Sequence, residues 1–147
     1  MSPSPAGSPA HPRVGCVSDE EREEPPAPSV VRAAPELEAE PATPRMRSRW
    51  VLEPAGQAWD GFALSEWELT AAGWSDRHPH SETNIVLEGE LHVQEGGVTV
   101  VAVAGDTVTV PAGQVGRYWA PVHARMMAIY GPHPHGESTT DLGYWEL

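Results

Sequence analysis

Beyond residue 49 hydrophobic and polar residues alternate in short runs, and before it they do not. Trp50-Val51-Leu52 comes first, then Phe62 to Leu69. Asn84 to Val93 is the most regular run, interrupted by Glu88-Gly89-Glu90. Val98 to Val103, Val108-Thr109-Val110, Arg117 to Trp119 and Val122 to Tyr130 follow. These runs are only a few residues long and rich in β-branched and aromatic side chains, which predicts strands. Turn chemistry separates them at Glu95-Gly96-Gly97, Gly105-Asp106 and Pro111-Ala112-Gly113. No window has the period of a long amphipathic helix. Several short strands closely spaced by turns predict an all-β sandwich or barrel.

The first 44 residues are different. They hold 10 of the 16 prolines and no aromatic residue. Such a stretch cannot bury enough apolar surface to offset the entropy of ordering it. Residues 1–45 therefore read as a disordered Pro/Glu-rich tail and residues 46–147 as one domain, large enough for one core. Met46 opens the folded part so closely that it is an alternative start.

Charge narrows the partners. The net charge is −12, and both parts are acidic: the first 44 residues have 8 acids against 3 arginines, the remainder 13 against 6. That argues against nucleic acid or an anionic membrane. Arg45, Arg47 and Arg49 form the one basic spot and read as a solvated junction. The absence of lysine excludes Schiff-base chemistry and a phosphate-loop lysine. The single cysteine, Cys16, excludes an intramolecular disulfide and leaves the domain without a thiolate nucleophile. Val14-Gly15-Cys16 has no apolar run before it, so it does not read as a lipoprotein signal, and no membrane span is visible. The expected location is cytoplasmic.

Two segments carry most of the chemistry. His78-Pro79-His80-Ser81-Glu82 leads to Gly89, seven positions after Glu82. Gly105 leads through Asp106-Thr107-Val108-Thr109-Val110 to Pro111-Ala112-Gly113. The first resembles the cupin motif His-x-His, three or four residues, Glu, six residues, Gly. The second resembles its partner motif Gly, five residues, Pro-x-Gly, two residues, His. Their order and spacing make the chain similar to small single-domain cupins over about residues 58–130, with core motifs at 74–120. The resemblance implies a double-stranded β-helix, or jelly-roll barrel.

Positions 76, 78, 80 and 82 share parity, so an extended strand projects Asp76, His78, His80 and Glu82 from one face. Imidazole and carboxylate together suit one divalent ion of Fe, Mn, Ni, Cu or Zn. The family's usual first histidine falls at Asp76, and its last falls at Gly116. By alignment His78 and Glu82 remain, with Asp76 and His80 as further candidate ligands. Asp76, His80 and Tyr118, which shares the parity of Gly116 and so could point inward, are the candidate catalytic groups. His123 is a weaker substitute for the missing imidazole. His92 reads as a solvated strand residue, and His133 and His135 read as a surface loop or dimer contact. Trp74 and Trp119 read first as core or interface residues, and otherwise as the wall of a cavity.

Two functions fit. One is a metal-dependent enzyme on a small metabolite, of the isomerase, cyclase, lyase or dioxygenase type that the resemblance implies. The other is a metal-free cupin that binds a small ligand as sensor, carrier or accessory protein. By analogy the chain pairs as a homodimer, through the Trp50 strand and the apolar end Tyr144-Trp145-Glu146-Leu147.

Overall fold

The computed structural model describes residues 27–147; residues 1–26, most of the expected tail, lie outside the described residues. Eight strands form: β1 (Glu38–Ala39), β2 (Met46–Leu52), β3 (Ala63–Arg77), β4 (Glu82–Glu95), β5 (Val98–Val103), β6 (Thr107–Val110), β7 (Val115–Tyr130) and β8 (Thr140–Glu146). All pairings are antiparallel, in the order β1-β2-β3-β7-β4-β5, with β6 added to β4 and β8 to β3. There is no helix among the described residues, so none there is long and apolar enough to cross a membrane. The fold is the expected all-β cupin-type barrel.

Three long strands, β3, β7 and β4, form the spine, and the shorter strands flank their two halves. Inward positions alternate with outward ones along each strand. Leu69, Val86, Leu91, Met126 and Tyr118 are the largest apolar side chains fully buried between them.

The structure departs from the sequence reading at several elements. The domain starts before Met46: Glu38 and Ala39 pair with Ser48 and Arg47, and Leu37 is buried. Prolines masked this short edge strand. Arg117–Trp119 and Val122–Tyr130 belong to one strand, β7. Pro121 has no N–H to offer a ladder, and both neighbouring ladders skip its region, β3 between Thr70 and Ala72 and β4 between Gly89 and His92. Gly89 lies at that irregularity inside β4. Its φ of 75° and a carbonyl 2.0 Å from where a Cβ would sit exclude a side chain there. The C-terminal aromatics form β8 on β3, with Trp145 packed over Gly73 and under Arg117.

Arg47 and Arg49 are not a solvated junction. Glu66 and Glu68 point to the face of β3 opposite the barrel interior, yet both are buried. Arg49 reaches Glu66 at 2.8 Å, Arg125 donates to it from β7 at 2.6 Å, and Arg47 pairs with Glu68. Arg49 and Arg125 also donate to the carbonyls of Arg32 and Ala34, which ties the incoming chain to this face.

Burial raises the Glu66 pKa, and the two guanidinium groups lower it more, to a net value below 4.5. A depressed folded pKa contributes stability above the unfolded value that is lost as pH falls through the folded one. Glu66→Gln leaves two half-buried cations uncompensated. It should cost about 3 kcal/mol in urea unfolding at neutral pH. The difference from wild type should shrink as pH falls below 4.5.

Candidate metal centre and its cavity

The site lies at one mouth of the barrel, where β3 ends and β4 begins. Asp76 comes from the end of β3, opposite Gly116 of β7, and Glu82 opens β4 between Val110 and Tyr130. Residues 78–81 between them are a loop and not strand. The parity argument therefore does not hold across this stretch, and Pro79 is the reason a strand cannot run through it.

Asp76, His78 and Glu82 converge all the same. One ligand atom from each lies within 4.8 Å of the others. His78 Nε2 is 3.0 Å from Asp76 Oδ2 and 3.1 Å from Glu82 Oε2, while its Nδ1 meets Thr139 Oγ1 at 2.8 Å. Burial lowers the affinity of this imidazole for its proton, but the two carboxylates outweigh it and raise the pKa to about 9.

Each carboxylate has neutral donors as well. Trp74 Nε1 donates to Asp76 Oδ2 at 2.8 Å. Asn84 Nδ2 donates to Glu82 Oε1 at 2.9 Å and is itself held by Trp67 Nε1 at 2.8 Å. Tyr118 Oη donates to Glu82 Oε2 at 3.2 Å. Burial and the Glu82 charge push the Tyr118 phenol far above its ordinary pKa, so it remains a donor.

His80 stands outside the ligand group, in correction of the four-residue set expected from parity. Its Nδ1 donates to the Ser81 carbonyl at 3.0 Å, and its ring stacks on His78 with centroids 4.6 Å apart. A carbonyl accepts only, so Nδ1 carries the hydrogen and Nε2 is left as the acceptor. Burial lowers the His80 pKa, which favours the neutral ring. His123 faces away and meets Glu68 at 3.5 Å on the opposite face. His133 is not on a surface loop. It is buried, bridges to Trp59 by two backbone bonds of 2.8 Å, and packs against His80. His92 pairs with Glu90 and stacks on Trp119, as suits a residue at the barrel's outside.

Gly116 has a physical explanation. A Cβ there would lie 2.6 Å from the Tyr118 hydroxyl and 2.8 Å from its ring. The phenol occupies the space beside Asp76 and Glu82 that a side chain at 116 would enter.

Above this set opens a cavity of about 880 Å³, at the upper end of the range for small-molecule sites. Trp50, Trp59, Trp67, Trp74 and Tyr130 line it, with Glu36, Glu38, Glu40 and Glu53 toward the mouth. Trp74 thus serves as cavity wall, whereas Trp119 stacks with His92 away from it. Sequence reading missed Asn84, Tyr130, Thr139 and the glutamates. Asn84 shares the parity of Glu82 on one strand, which is a usable signal. Thr139 approaches from a distant loop and carries none.

The family comparison agrees with this geometry. The cupin domain profile matches residues 65–130, which hold Asp76, His78, Glu82 and Tyr118. Residues 65–130 are a cupin domain. A protein named acetate kinase EutQ, from Salmonella typhimurium, is 33% identical over 77 residues. That alignment covers 50% of this chain and 33% of the relative, so the chain spans about a third of the length of that protein. The crystal structure of a Salmonella typhimurium ethanolamine utilization protein EutQ superposes with a TM-score of 0.51 at 26% identity, over 60% of this cupin and 70% of that chain. An RmlC-like cupin from Shewanella frigidimarina superposes with a TM-score of 0.58 at 21% identity, over 74% and 95%.

Two substitutions probe the phenol. Gly116→Ala should destabilise this cupin by about 1–3 kcal/mol, the usual range for overpacking. Tyr118→Phe should cost about 1–3 kcal/mol by leaving a buried carboxylate oxygen short of a donor. Thermal and urea unfolding measure both.

Proposed function

We propose that this cupin is a metal-dependent enzyme acting on a small metabolite, with Asp76, His78 and Glu82 holding one divalent ion of Fe, Mn, Ni, Cu or Zn. The convergence of one imidazole and two carboxylates at the base of an open cavity carries this reading. The donor set suits a borderline ion. Neighbouring ligands at about 2.0–2.2 Å from one ion lie roughly 3 Å apart, as the His78 nitrogen does from each carboxylate. The ion would supply Lewis-acid polarisation of a substrate oxygen or an activated water, with three protein ligands leaving positions open.

The surrounding residues do the rest. Thr139 fixes the His78 ring through Nδ1, and Trp74 and Asn84 orient the two carboxylates through neutral donors. Tyr118 holds a proton at Oη beside Glu82. His80 offers an unprotonated Nε2 to accept a proton within the same cavity. That chemistry fits isomerases, cyclases, lyases and dioxygenases. The acetate kinase activity in the relatives' name is not carried over. The alignment spans a third of that protein, and the carboxylate-lined mouth repels a polyphosphate.

A second reading has its own support. His78 Nε2 cannot both donate to the carboxylates and ligate an ion. With its proton in place the set is satisfied internally, and Tyr118 occupies the space at Gly116. In that form the domain is a metal-free binder of a small ligand.

Elemental analysis of the full chain, untagged and purified without chelator, separates the two. Near-stoichiometric metal is expected in wild type and should be lost in His78→Ala, Glu82→Ala and Asp76→Asn. No bound metal, even after incubation with each of the five ions, would retire the enzyme reading in favour of the binder.

A further inference from the structure

We infer that the cavity above Asp76, His78 and Glu82 takes a small organic cation of the alkylated ammonium type. Its charge would sit among indole and phenol faces beneath a rim of glutamates. The inference rests on the proposed site only in taking this cavity as the place of the substrate or ligand.

The rim sets the sign. Glu36, Glu38 and Glu40 alternate along the chain through β1, and Glu53 follows β2; all four line the mouth. They are exposed, and among the described residues no ion pair engages any of them. Arg49 also lines the cavity, but its guanidinium is committed to Glu66 at 2.7 Å and to the Arg32 carbonyl at 3.0 Å. An anionic ligand would therefore enter against four carboxylates, with no uncommitted guanidinium among the described residues that line the cavity. A cation is drawn in by them, and by the net charge of −12 beyond them.

The wall sets the class. Four tryptophans and Tyr130 give the cavity an aromatic lining, with Trp50 and Tyr130 meeting edge to face at 6.0 Å. Four of the five polar handles are already used or buried. Trp67 donates to Asn84, Trp74 to Asp76, and Tyr130 shares its hydroxyl with Ser65 at 2.9 Å. Trp59 Nε1 is buried against Gly131. What remains is ring surface with few donors. A phosphate or carboxylate finds little to bind there. Along that aromatic wall, between the glutamate rim and the carboxylates at the base, a bare ammonium would lose its water without replacement hydrogen bonds. An alkylated cation needs none, and it is attracted to ring faces.

Isothermal titration of the full chain tests this with three probes: choline, its uncharged shape-match 3,3-dimethylbutan-1-ol, and butyrate. Choline should bind saturably and at least about tenfold more tightly than the alcohol. Butyrate should bind more weakly still. Glu38→Gln with Glu53→Gln should weaken choline several-fold while leaving the alcohol unchanged, and added salt should do the same. Trp50→Ala, at a half-exposed ring, should weaken choline also. Equal binding of choline and the alcohol, tighter binding of butyrate, or no saturable choline binding would each overturn the inference. Titrations repeated on metal-loaded and chelated protein keep the two proposals apart. Choline binding without bound metal sinks only the enzyme reading, and metal without choline binding sinks only this one.

Discussion

Four carboxylates are buried in this small barrel, and the way each is compensated organises the structure around it. An uncompensated carboxylate in the interior costs several kcal/mol, so donors must come with it. Glu66 and Glu68, on the face opposite the barrel interior, are met by arginines from β2 and β7. That arrangement is charge-saturated. It fastens three strands and the incoming chain, and it leaves nothing over for a ligand.

Asp76 and Glu82, on the inner side, are treated differently. They share one imidazole, and the rest of their compensation is neutral: Trp74, Asn84 and Tyr118. Two negative charges are balanced by at most one positive charge. The deficit is concentrated at the base of an open cavity, where a divalent ion fits the donor set. The same logic extends outward, since among the described residues no ion pair engages the glutamates at the mouth.

Much of this was legible in the chain. The strands with clean alternation, from Asn84 to Val110, were readable because period-2 patterning reflects a half-buried sheet directly. The two glycine-anchored motifs placed His78 and Glu82 correctly beside each other. What escaped were features that local pattern does not encode. β1 is two residues long and set among prolines, so composition hid it, and with it the glutamate rim. The continuous β7 escaped because Pro121 reads as a strand break, whereas here both ladders skip it. Parity misplaces His80 because residues 78–81 are not strand. The meaning of Gly116 depends on a tyrosine two residues away folding back over it, which only the packed structure displays.

The most direct measurement is anomalous scattering from crystals grown with Zn²⁺, collected at the metal's absorption edge. The expected result is one peak within bonding distance of His78 Nε2 and an oxygen from each of Asp76 and Glu82, with Tyr118 still hydrogen-bonded to Glu82. A peak whose ligands include His80 or the Tyr118 oxygen, or no peak at this mouth of the barrel, would contradict it.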